Sequence, residues 1–182
     1  MSSQESTQEV VAMSAEVRAY IREQIARVYS DYPMEGFKIF AVEDEFMPEY
    51  NRIGDSGFDL RANIPSSITL QPGERVTIPV GLYVEMPIGF EMQIRPRSGR
   101  ASKEGATVVN APGTIDAAYR GEIAVVFLNT DLRNSIVINR GDRIAQGVVC
   151  RVEHINWERV SSPDQLEDSV RGAQGFGSSG VE

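Results

Sequence analysis

The residues of this sequence that could carry acid–base chemistry are mainly carboxylates. The 182-residue chain has one histidine, His154, and one cysteine, Cys150. A single cysteine excludes an intramolecular disulfide and a zinc site built from several thiolates. His154 lies in a charged stretch without a nucleophile motif, which favours a surface position over a Ser–His or Cys–His pair. If the protein is an enzyme, we therefore expect an aspartate or glutamate to act as its general base.

A short segment at the end of a predicted strand is suited to binding phosphate. Arg97, Ser98 and Gly99 follow Pro96 there. A guanidinium offers two parallel donors to phosphate oxygens, serine adds a hydroxyl, and glycine lets backbone amides approach closely. The alternative interpretation is an ordinary turn, because Ser-Gly pairs are common in turns.

The end of the chain carries a second set of such groups. Residues 161–182 form a polar tail, and its glycines at 172, 175, 177 and 180 predict flexibility. We expect this tail to close over a nucleotide, with a guanidinium and two hydroxyls on phosphate and an aromatic ring stacked on the base. The residues concerned are Arg171, Phe176, Ser178 and Ser179.

Three further polar residues stand out by their surroundings. Asp116 lies in a predicted hairpin loop, residues 113–121, where it could take a proton from water or simply stabilise a turn. Asp59 lies between apolar neighbours, which indicates a metal-linked carboxylate or a salt bridge to a nearby arginine. Gln146 is an amide in an apolar strand and must find hydrogen-bond partners if it is buried, whether in a site or in the core.

The elements that must position these residues are mostly strands. Val76, Ile78, Val80, Leu82 and Val84 alternate at period two, as in one strand. Further strands are predicted at 91–95, 123–128, 136–138 and 144–152, and the apolar run at 123–128 is typical of a buried central strand. Turns are predicted at 71–74, 131–134 and 139–142. Many short strands between such turns predict an all-β sandwich or jelly roll.

One helix is predicted before the strands. Residues 14–29 carry an apolar stripe at spacings of three and four, with Ser14 as N-cap. We expect this helix to dock on the main domain or on a neighbouring subunit, and a helix that binds a partner protein or a nucleic acid is the alternative. The preceding residues, 1–13, are polar and predicted to be disordered.

Composition and charge exclude some classes of protein. The net charge is −8, the pI is about 4.8, and no stretch is dense in lysine or arginine, so no nucleic-acid partner is expected. No apolar run reaches membrane-spanning length, so no membrane partner is expected either. The N-terminus lacks the basic flank and apolar core of a signal peptide, which predicts a cytoplasmic location in a cell or an infected host.

The order of five segments along the chain carries a family resemblance. They read GFDLRA, PRSGRASKEG, NAPGTIDAAYRGE, GDRIAQ and RGAQGFGSSG. In this order they resemble the five motifs of the trimeric, all-β dUTPase family, and the resemblance extends from about residue 37 to 180. It implies a β jelly-roll or β-clip barrel and a homotrimer whose active sites are shared between subunits. It also implies hydrolysis of dUTP to dUMP and pyrophosphate, which keeps uracil out of DNA and supplies dUMP for dTMP synthesis.

The resemblance also implies a role for each site residue. Asp116 would activate the water that attacks the α-phosphate, Gln146 would hold that water or the phosphate, and Asp59 would hold Mg²⁺ through water. The uracil pocket would be the hairpin that contains Asn110, Gly113 and Ile115, with Tyr119 under the sugar. The remaining substrate-binding residues would be Arg97, Ser98 and Gly99 on phosphate, Arg171 at the γ-phosphate, Phe176 on uracil, and Gly177, Ser178 and Ser179 in the tail.

Three other functions compete with this one. A dCTP deaminase of related fold usually carries Arg-Ser-Ser in place of Arg97-Ser98-Gly99, and needs a glutamate where our alignment places Val126. An interaction protein would bind a regulator through the N-terminal helix, either instead of catalysis or as a second role. A structural jelly-roll protein would have no need of Asp116, Arg97 and Arg171.

The motifs also fix the predicted domain limits and show departures from the family pattern. We predict an N-terminal extension at 1–35, a β domain at 36–160 and a flexible arm at 161–182.

Ser56 stands where the family usually has alanine, and Gln174 replaces a tail glycine. Arg100 replaces a leucine, and Gly147 replaces a larger apolar residue. None of these removes a group assigned above.

Overall fold

The computed structural model describes residues 14–28 and 36–174. The chain forms two compact units, Met1–Val152 and Glu153–Glu182. The described residues of the second unit contain one short 3-10 helix, Pro163–Gln165, and the first unit contains another, Asp44–Phe46. Neither α-helix in the described part of the chain is long and apolar enough to cross a membrane.

The first unit is built mainly from short antiparallel strands, which confirms the prediction of a mostly β protein. The described strands are β1 Lys38–Ala41, β2 Phe58–Arg61, β3 Ile68–Leu70, β4 Arg75–Pro79, β5 Leu82–Glu85, β6 Phe90–Arg95, β7 Ala106–Val108, β8 Gly113–Asp116, β9 Ala124–Asn129, β10 Ile136–Ile138 and β11 Arg143–Arg151. They form one sheet in the order β2-β11-β6-β8, another in the order β4-β9-β7, and the pairs β1-β5 and β10-β3.

Alternation along the four-stranded sheet separates its core face from its polar face. Leu60, Met92 and Ile94 are buried in the hydrophobic core, as period-two side chains on one face require. A register shift in β11 between Arg143 and Ala145 then places Gln146 opposite both Asp59 and Arg95. Three polar side chains are thereby aligned across three strands, at one end of the polar face.

The predicted single strand from Val76 to Val84 is wrong in one respect. The chain breaks at Val80 and Gly81, so that β4 pairs with β9 while β5 pairs with β1. Gly81 has φ +68°, and a Cβ there would lie 2.7 Å from a methyl of Val42. Alternation continues through this break because the apolar residues on both sides of it face the same core.

Two other strand predictions also need correction. Residues 113–116, predicted as hairpin loop, form β8 at the edge of the four-stranded sheet. Strand β9, predicted to be buried on both faces, buries only alternate residues within one chain: Val125, Phe127 and Asn129. The fully buried Asn129 amide donates to the carbonyls of Leu70 and Asn134, at 3.1 and 2.9 Å.

The predicted turns are confirmed by their hydrogen bonds. The Glu74 N–H donates to the Gln71 carbonyl, and Gly73 between them has φ +79°. In the turn at 131–134, the Asp131 carboxylate accepts the N–H groups of Arg133 and Asn134, each at 2.7 Å. These backbone bonds, with that of Asn134 the larger contribution, lower the pKa of Asp131.

Two α-helices complete the described structure. Helix α1, Ala15–Val28, agrees with the predicted range, and the Ser14 hydroxyl accepts the Val17 N–H at 3.3 Å as an N-cap does. Its Arg18 and Arg22 form ion pairs with Glu49. Helix α2, Ser98–Glu104, was not predicted; it ends at Gly105, whose φ of +67° is typical of a glycine C-cap.

Candidate functional site

A polar cavity of about 530 Å³ opens where the end of β6 lies beside the start of β11. We call it the arginine cavity, because four guanidiniums and only two carboxylates line it. Its walls are the loop before β2, the start of β2, the β6–α2 junction and the first half of β11. The lining residues are Asn51, Arg52, Asp55, Ser56, Gly57, Asp59, Arg95, Arg97, Ser98, Gly99, Arg143, Gln146 and Val148.

Asp59 is the electrostatic centre of the arginine cavity. Its Oδ1 accepts the Arg97 Nε at 2.6 Å, and its Oδ2 lies 3.2 Å from Arg143 Nη1. The Asn51 amide adds a long contact of 3.5 Å to Oδ2. The Asp59 side chain is only 16% exposed, so these cations compensate a largely desolvated charge. The alternative of a salt bridge, left open by the sequence, is therefore what the structure shows for the free chain.

Gln146 is held in the cavity wall by its amide. Its Nε2 donates to the Pro96 carbonyl at 2.8 Å, directly before Arg97. A Cβ on Gly57 would lie 2.8 Å from Gln146 Oε1 and 3.2 Å from the Gly147 carbonyl. Glycine at 57 is therefore required for the loop to pass so close to this amide, since real Cβ contacts are longer.

Ser98 and Gly99 lie in the first turn of α2, at the cavity edge. Both are exposed, and a Cβ on Gly99 would meet no atom within 4 Å. Arg97 and Ser98 both line the cavity, so a ligand bound there is within reach of the guanidinium and of the exposed serine. Arginine and hydroxyl donors beside an amide suit the oxygens of a phosphate group.

The second set of predicted residues lies on and around β8, and we call it the Asp116 region. It comprises Asn110, Gly113, Ile115, Asp116 and Tyr119. Asn110 and Asp116 are exposed, whereas Gly113 is buried and Ile115 is half-buried against the core. A Cβ on Gly113 would lie 3.0 Å from the Asn110 Nδ2. The absence of a side chain at 113 thus leaves room for the Asn110 amide.

Tyr119 closes the turn that follows Asp116. Its N–H donates to the Asp116 carbonyl at 3.0 Å, and its hydroxyl donates to the Glu122 carbonyl at 2.9 Å. A Cβ on Gly121 would lie 2.4 Å from the phenol oxygen, so the ring packs directly over the Gly121 backbone. This packing leaves Tyr119 42% exposed in a fixed orientation.

Within one chain, the Asp116 region and the arginine cavity stay apart. Asp116 pairs with Glu91, whereas Gln146 pairs with Arg95 at the other end of β6. Four residues of extended strand separate these two positions, which corresponds to about 13 Å. The single chain therefore gathers Asp59, Gln146 and the Arg97 segment but does not bring Asp116 to them.

Of the predicted tail residues, Arg171 lies within the described part of the chain. Arg171 belongs to the second unit, is exposed, and donates from Nε to the Gln174 carbonyl at 3.0 Å. Phe176, Gly177, Ser178 and Ser179 lie outside the described residues. Their roles therefore remain predictions from the sequence.

Several cavity residues were not identified from the sequence. Arg143 and Gly57 lie in or beside the quoted motifs, so the motifs could have indicated them. Asn51 and Arg52 belong to no motif, and only the folded loop brings them to the cavity wall. Arg95 lies one residue before Pro96 on β6, and its position opposite Gln146 depends on strand register.

Fold and site together define an antiparallel β protein that gathers guanidinium, hydroxyl and amide groups around one polar cavity. A sequence model of the dUTPase family matches residues 44–180. The deoxyuridine 5'-triphosphate nucleotidohydrolase of Caulobacter vibrioides is 50% identical over 137 residues, 74% of this chain and 86% of that protein. The enzyme of that name from Thermobifida fusca is 44% identical over 171 residues, 94% of this chain and 86% of that protein.

A solved structure agrees with these sequence matches. A point mutant of the Staphylococcus bacteriophage 80alpha dUTPase, in complex with dUpNHpp, superposes with a TM-score of 0.69 at 25% identity. The superposition covers 81% of this chain and 99% of that one. The chain belongs to the dUTPase family. The predictions of this family and of its enzyme class, dUTP diphosphatase, are confirmed.

Proposed function

We propose that this protein hydrolyses dUTP to dUMP and pyrophosphate, with a base site and a phosphate site supplied by different copies of the chain. The observation that carries the proposal is the arginine cavity, where Arg97, Ser98 and Gln146 meet around Asp59. A triphosphate needs several cationic and hydrogen-bonding groups that are already in position, because phosphoryl chemistry depends mainly on positioning and electrostatics. Of the two site regions, only this cavity has such a set.

The Asp116 region supplies the base-binding half. The exposed Asn110 amide and the backbone of β8 near Gly113 and Ile115 would read the hydrogen-bonding edge of uracil. Cytosine presents a donor where uracil presents an acceptor, so buried groups would be left unpaired, which discriminates strongly. Tyr119, fixed over Gly121, would pack under the sugar and exclude a 2′-hydroxyl.

Asp116 is the proposed general base. It accepts a proton from water while the water oxygen forms a bond to the α-phosphorus. The bond from this phosphorus to the bridging oxygen breaks, and pyrophosphate leaves with that electron pair. Gln146 holds the water or the α-phosphate through its amide. A general base of this kind contributes about 10²- to 10⁴-fold in rate.

Mg²⁺ is the proposed cofactor, bound together with the triphosphate. The described residues contain no cluster of three or more metal-ligating side chains, and both oxygens of Asp59 contact arginines. This donor set fits a Mg²⁺ that takes its oxygen ligands from phosphates and water, which is how Mg²⁺ commonly binds. Asp59 would hold water in its shell. The metal would supply charge neutralisation and orientation of the phosphates.

We propose a homotrimer with shared sites, and the separation described above supports the sharing of each site between copies. About 13 Å lies between the strand positions that carry Asp116 and the cavity, so an attacking water held by Asp116 does not reach a phosphate in the cavity of its own chain. A second copy can place its Asp116 region at the mouth of the cavity. The arm, predicted at 161–182, would close the site with Arg171 at the γ-phosphate, Phe176 on uracil and further phosphate contacts from Gly177, Ser178 and Ser179.

This activity would remove dUTP before it is used as a DNA precursor, and it would supply dUMP for dTMP synthesis. The substrate and product are small soluble nucleotides, which fits the expected cytoplasmic location in a cell or an infected host. The proposed division of labour assigns catalysis to the β domain at 36–160 and closure to the arm, with the extension at 1–35 outside the chemistry.

The test is pyrophosphate release from dUTP, with dCTP, dTTP and UTP as parallel substrates, with and without Mg²⁺. We expect rapid Mg²⁺-dependent release from dUTP alone. Equal rates with dCTP or UTP would contradict the proposed uracil and sugar recognition. No release from any nucleotide would refute the function as a whole.

A second role, binding of a protein regulator, is proposed for α1. The helix is tied to the loop before β2 through Glu49, yet its Val17 and Tyr20 are 45% and 60% exposed. An apolar pair exposed on a docked helix suits a partner protein. Such a complex should survive Asp116→Asn and be lost when Val17 and Tyr20 are replaced by serine.

A further inference from the structure

The four arginines of the cavity differ in how their charges are balanced. Arg97 and Arg143 share the Asp59 carboxylate. Arg95, on the polar face of β6, has no carboxylate within ion-pair distance among the described residues. Its Nε and Nη2 instead donate to the neutral Gln93 Oε1, at 3.0 and 2.6 Å.

The position of Arg95 relates it directly to the cavity. It pairs with Gln146 across β6 and β11, lines the cavity, and is half-buried. Gln93 lies two residues earlier on the same face, and its Nε2 donates to the Glu91 Oε1 at 2.7 Å. At the cavity margin, the Arg95 guanidinium is thus hydrogen-bonded to a side-chain amide and not to a carboxylate.

We propose that Arg95 is a further substrate-binding residue that contacts the phosphate held next to Gln146. This inference rests on the proposed function. A half-buried charge without a counter-ion is unfavourable, and an arriving phosphate oxygen removes that cost. Because the bond to Gln93 is made to a neutral group, it is weaker than a bond to a carboxylate, so Arg95 can exchange it for phosphate at little cost.

Gln93 is the positioning partner in this arrangement. It occupies Nε and Nη2 of Arg95 in the free chain and fixes the plane of the guanidinium. The Arg95 Nη1 makes no hydrogen bond to a described residue, so its two N–H groups are available to a phosphate before the bond to Gln93 breaks.

Direct ligand binding tests the proposal. The full-length Arg95→Gln variant is compared with wild type by calorimetry, with inorganic tripolyphosphate, a non-hydrolysable dUTP analogue and deoxyuridine as probes. We expect binding of tripolyphosphate and of the analogue to weaken about 10- to 100-fold, the range of a hydrogen bond to a charged group. Binding of deoxyuridine, which has no phosphate, should be unchanged.

Two further variants keep the test sharp. Arg95→Lys retains the charge but loses the planar fork, so its loss should be smaller than that of Arg95→Gln. Arg75→Gln, which removes an exposed arginine of β4 outside the cavity, should bind all three probes as wild type does. Unchanged tripolyphosphate binding in Arg95→Gln would overturn the proposal, and so would an equal loss for deoxyuridine. Failure of dUTP hydrolysis by the wild type would refute the proposed function separately, because these binding measurements need no turnover.

Discussion

The arginine cavity and the Asp116 region use opposite ends of one sheet for different chemistry. The cavity gathers four guanidiniums and two carboxylates, with its central carboxylate 16% exposed. The Asp116 region presents an exposed carboxylate, an amide and a phenol. The first end suits a polyanion, and the second suits proton transfer and recognition of an uncharged ring. On the proposed function, one chain carries two complementary half-sites, each completed by a neighbouring copy.

The largest expected effect separates the two regions kinetically. Asp116→Asn should lower kcat for dUTP by about 10²- to 10⁴-fold while leaving binding of a non-hydrolysable analogue within a few-fold of wild type. Arg97→Gln should instead weaken binding of the analogue, because it removes a fork-shaped phosphate donor. Steady-state kinetics and calorimetry together check this. Full activity in the Asp116→Asn variant would show that Asp116 is not the general base.

The second prediction concerns hybrids of these two impaired variants. Differently tagged Asp116→Asn and Arg97→Gln chains are co-expressed, and oligomers carrying both tags are purified. If each site takes its cavity from one chain and its Asp116 from a neighbour, each mixed cyclic trimer has one intact site of three and regains about one third of the wild-type rate. If each chain holds a complete site, the hybrids stay inactive. Either variant alone, treated identically, is the control.

The third prediction uses two glycines, one in each region. A methyl at Gly57 would lie 2.8 Å from Gln146 Oε1, and one at Gly113 would lie 3.0 Å from Asn110 Nδ2. Gly57→Ala should therefore weaken tripolyphosphate binding about 10-fold, a cost at the low end of overpacking. Gly113→Ala should spare tripolyphosphate and weaken deoxyuridine to a similar extent. Loss of both ligands in both variants would show that the regions are not independent.

The smallest expected effect concerns the link between α1 and the cavity loop. Glu49 binds Arg18 and Arg22, and the loop it begins continues to Asn51 and Arg52 in the cavity wall. Exposed ion pairs contribute about 0–1 kcal/mol, so Glu49→Gln should lower the Tm only slightly and change kcat/KM less than two-fold. A drop in kcat/KM of well over two-fold, with only a slight drop in Tm, would show that α1 orders the cavity.

Local patterns were sufficient to predict much of the fold. The apolar stripe and Ser14 predicted α1 to within a residue at each end, and the turn at 71–74 follows from its proline and glycine. The break at Gly81 escaped prediction because alternation persists when a chain passes from one sheet to another over a shared core. The burial of β9 was also overestimated, since an apolar run does not tell whether the second face is covered by the same chain.

The site was predictable only where its residues lie within motifs. Arg97, Gln146 and Asp59 were found from their sequence context, and the structure places all three in the cavity. The separation of Asp116 from them depends on strand register, which no local pattern specifies. Arg95 and Arg52 could not be found from the sequence, because one is identified by its cross-strand neighbour and the other by the path of a loop.

The contact between Gly147 and Phe58 also constrains how this sequence can change over evolution. A Cβ on Gly147 would lie 2.6 Å from the Phe58 ring, so the aromatic ring occupies the space that a side chain at 147 would need. Gly147 directly follows Gln146, and Phe58 directly precedes Asp59. A larger residue at 147 therefore requires the Phe58 ring to shift or a smaller residue at 58, and either change acts next to Gln146 or Asp59.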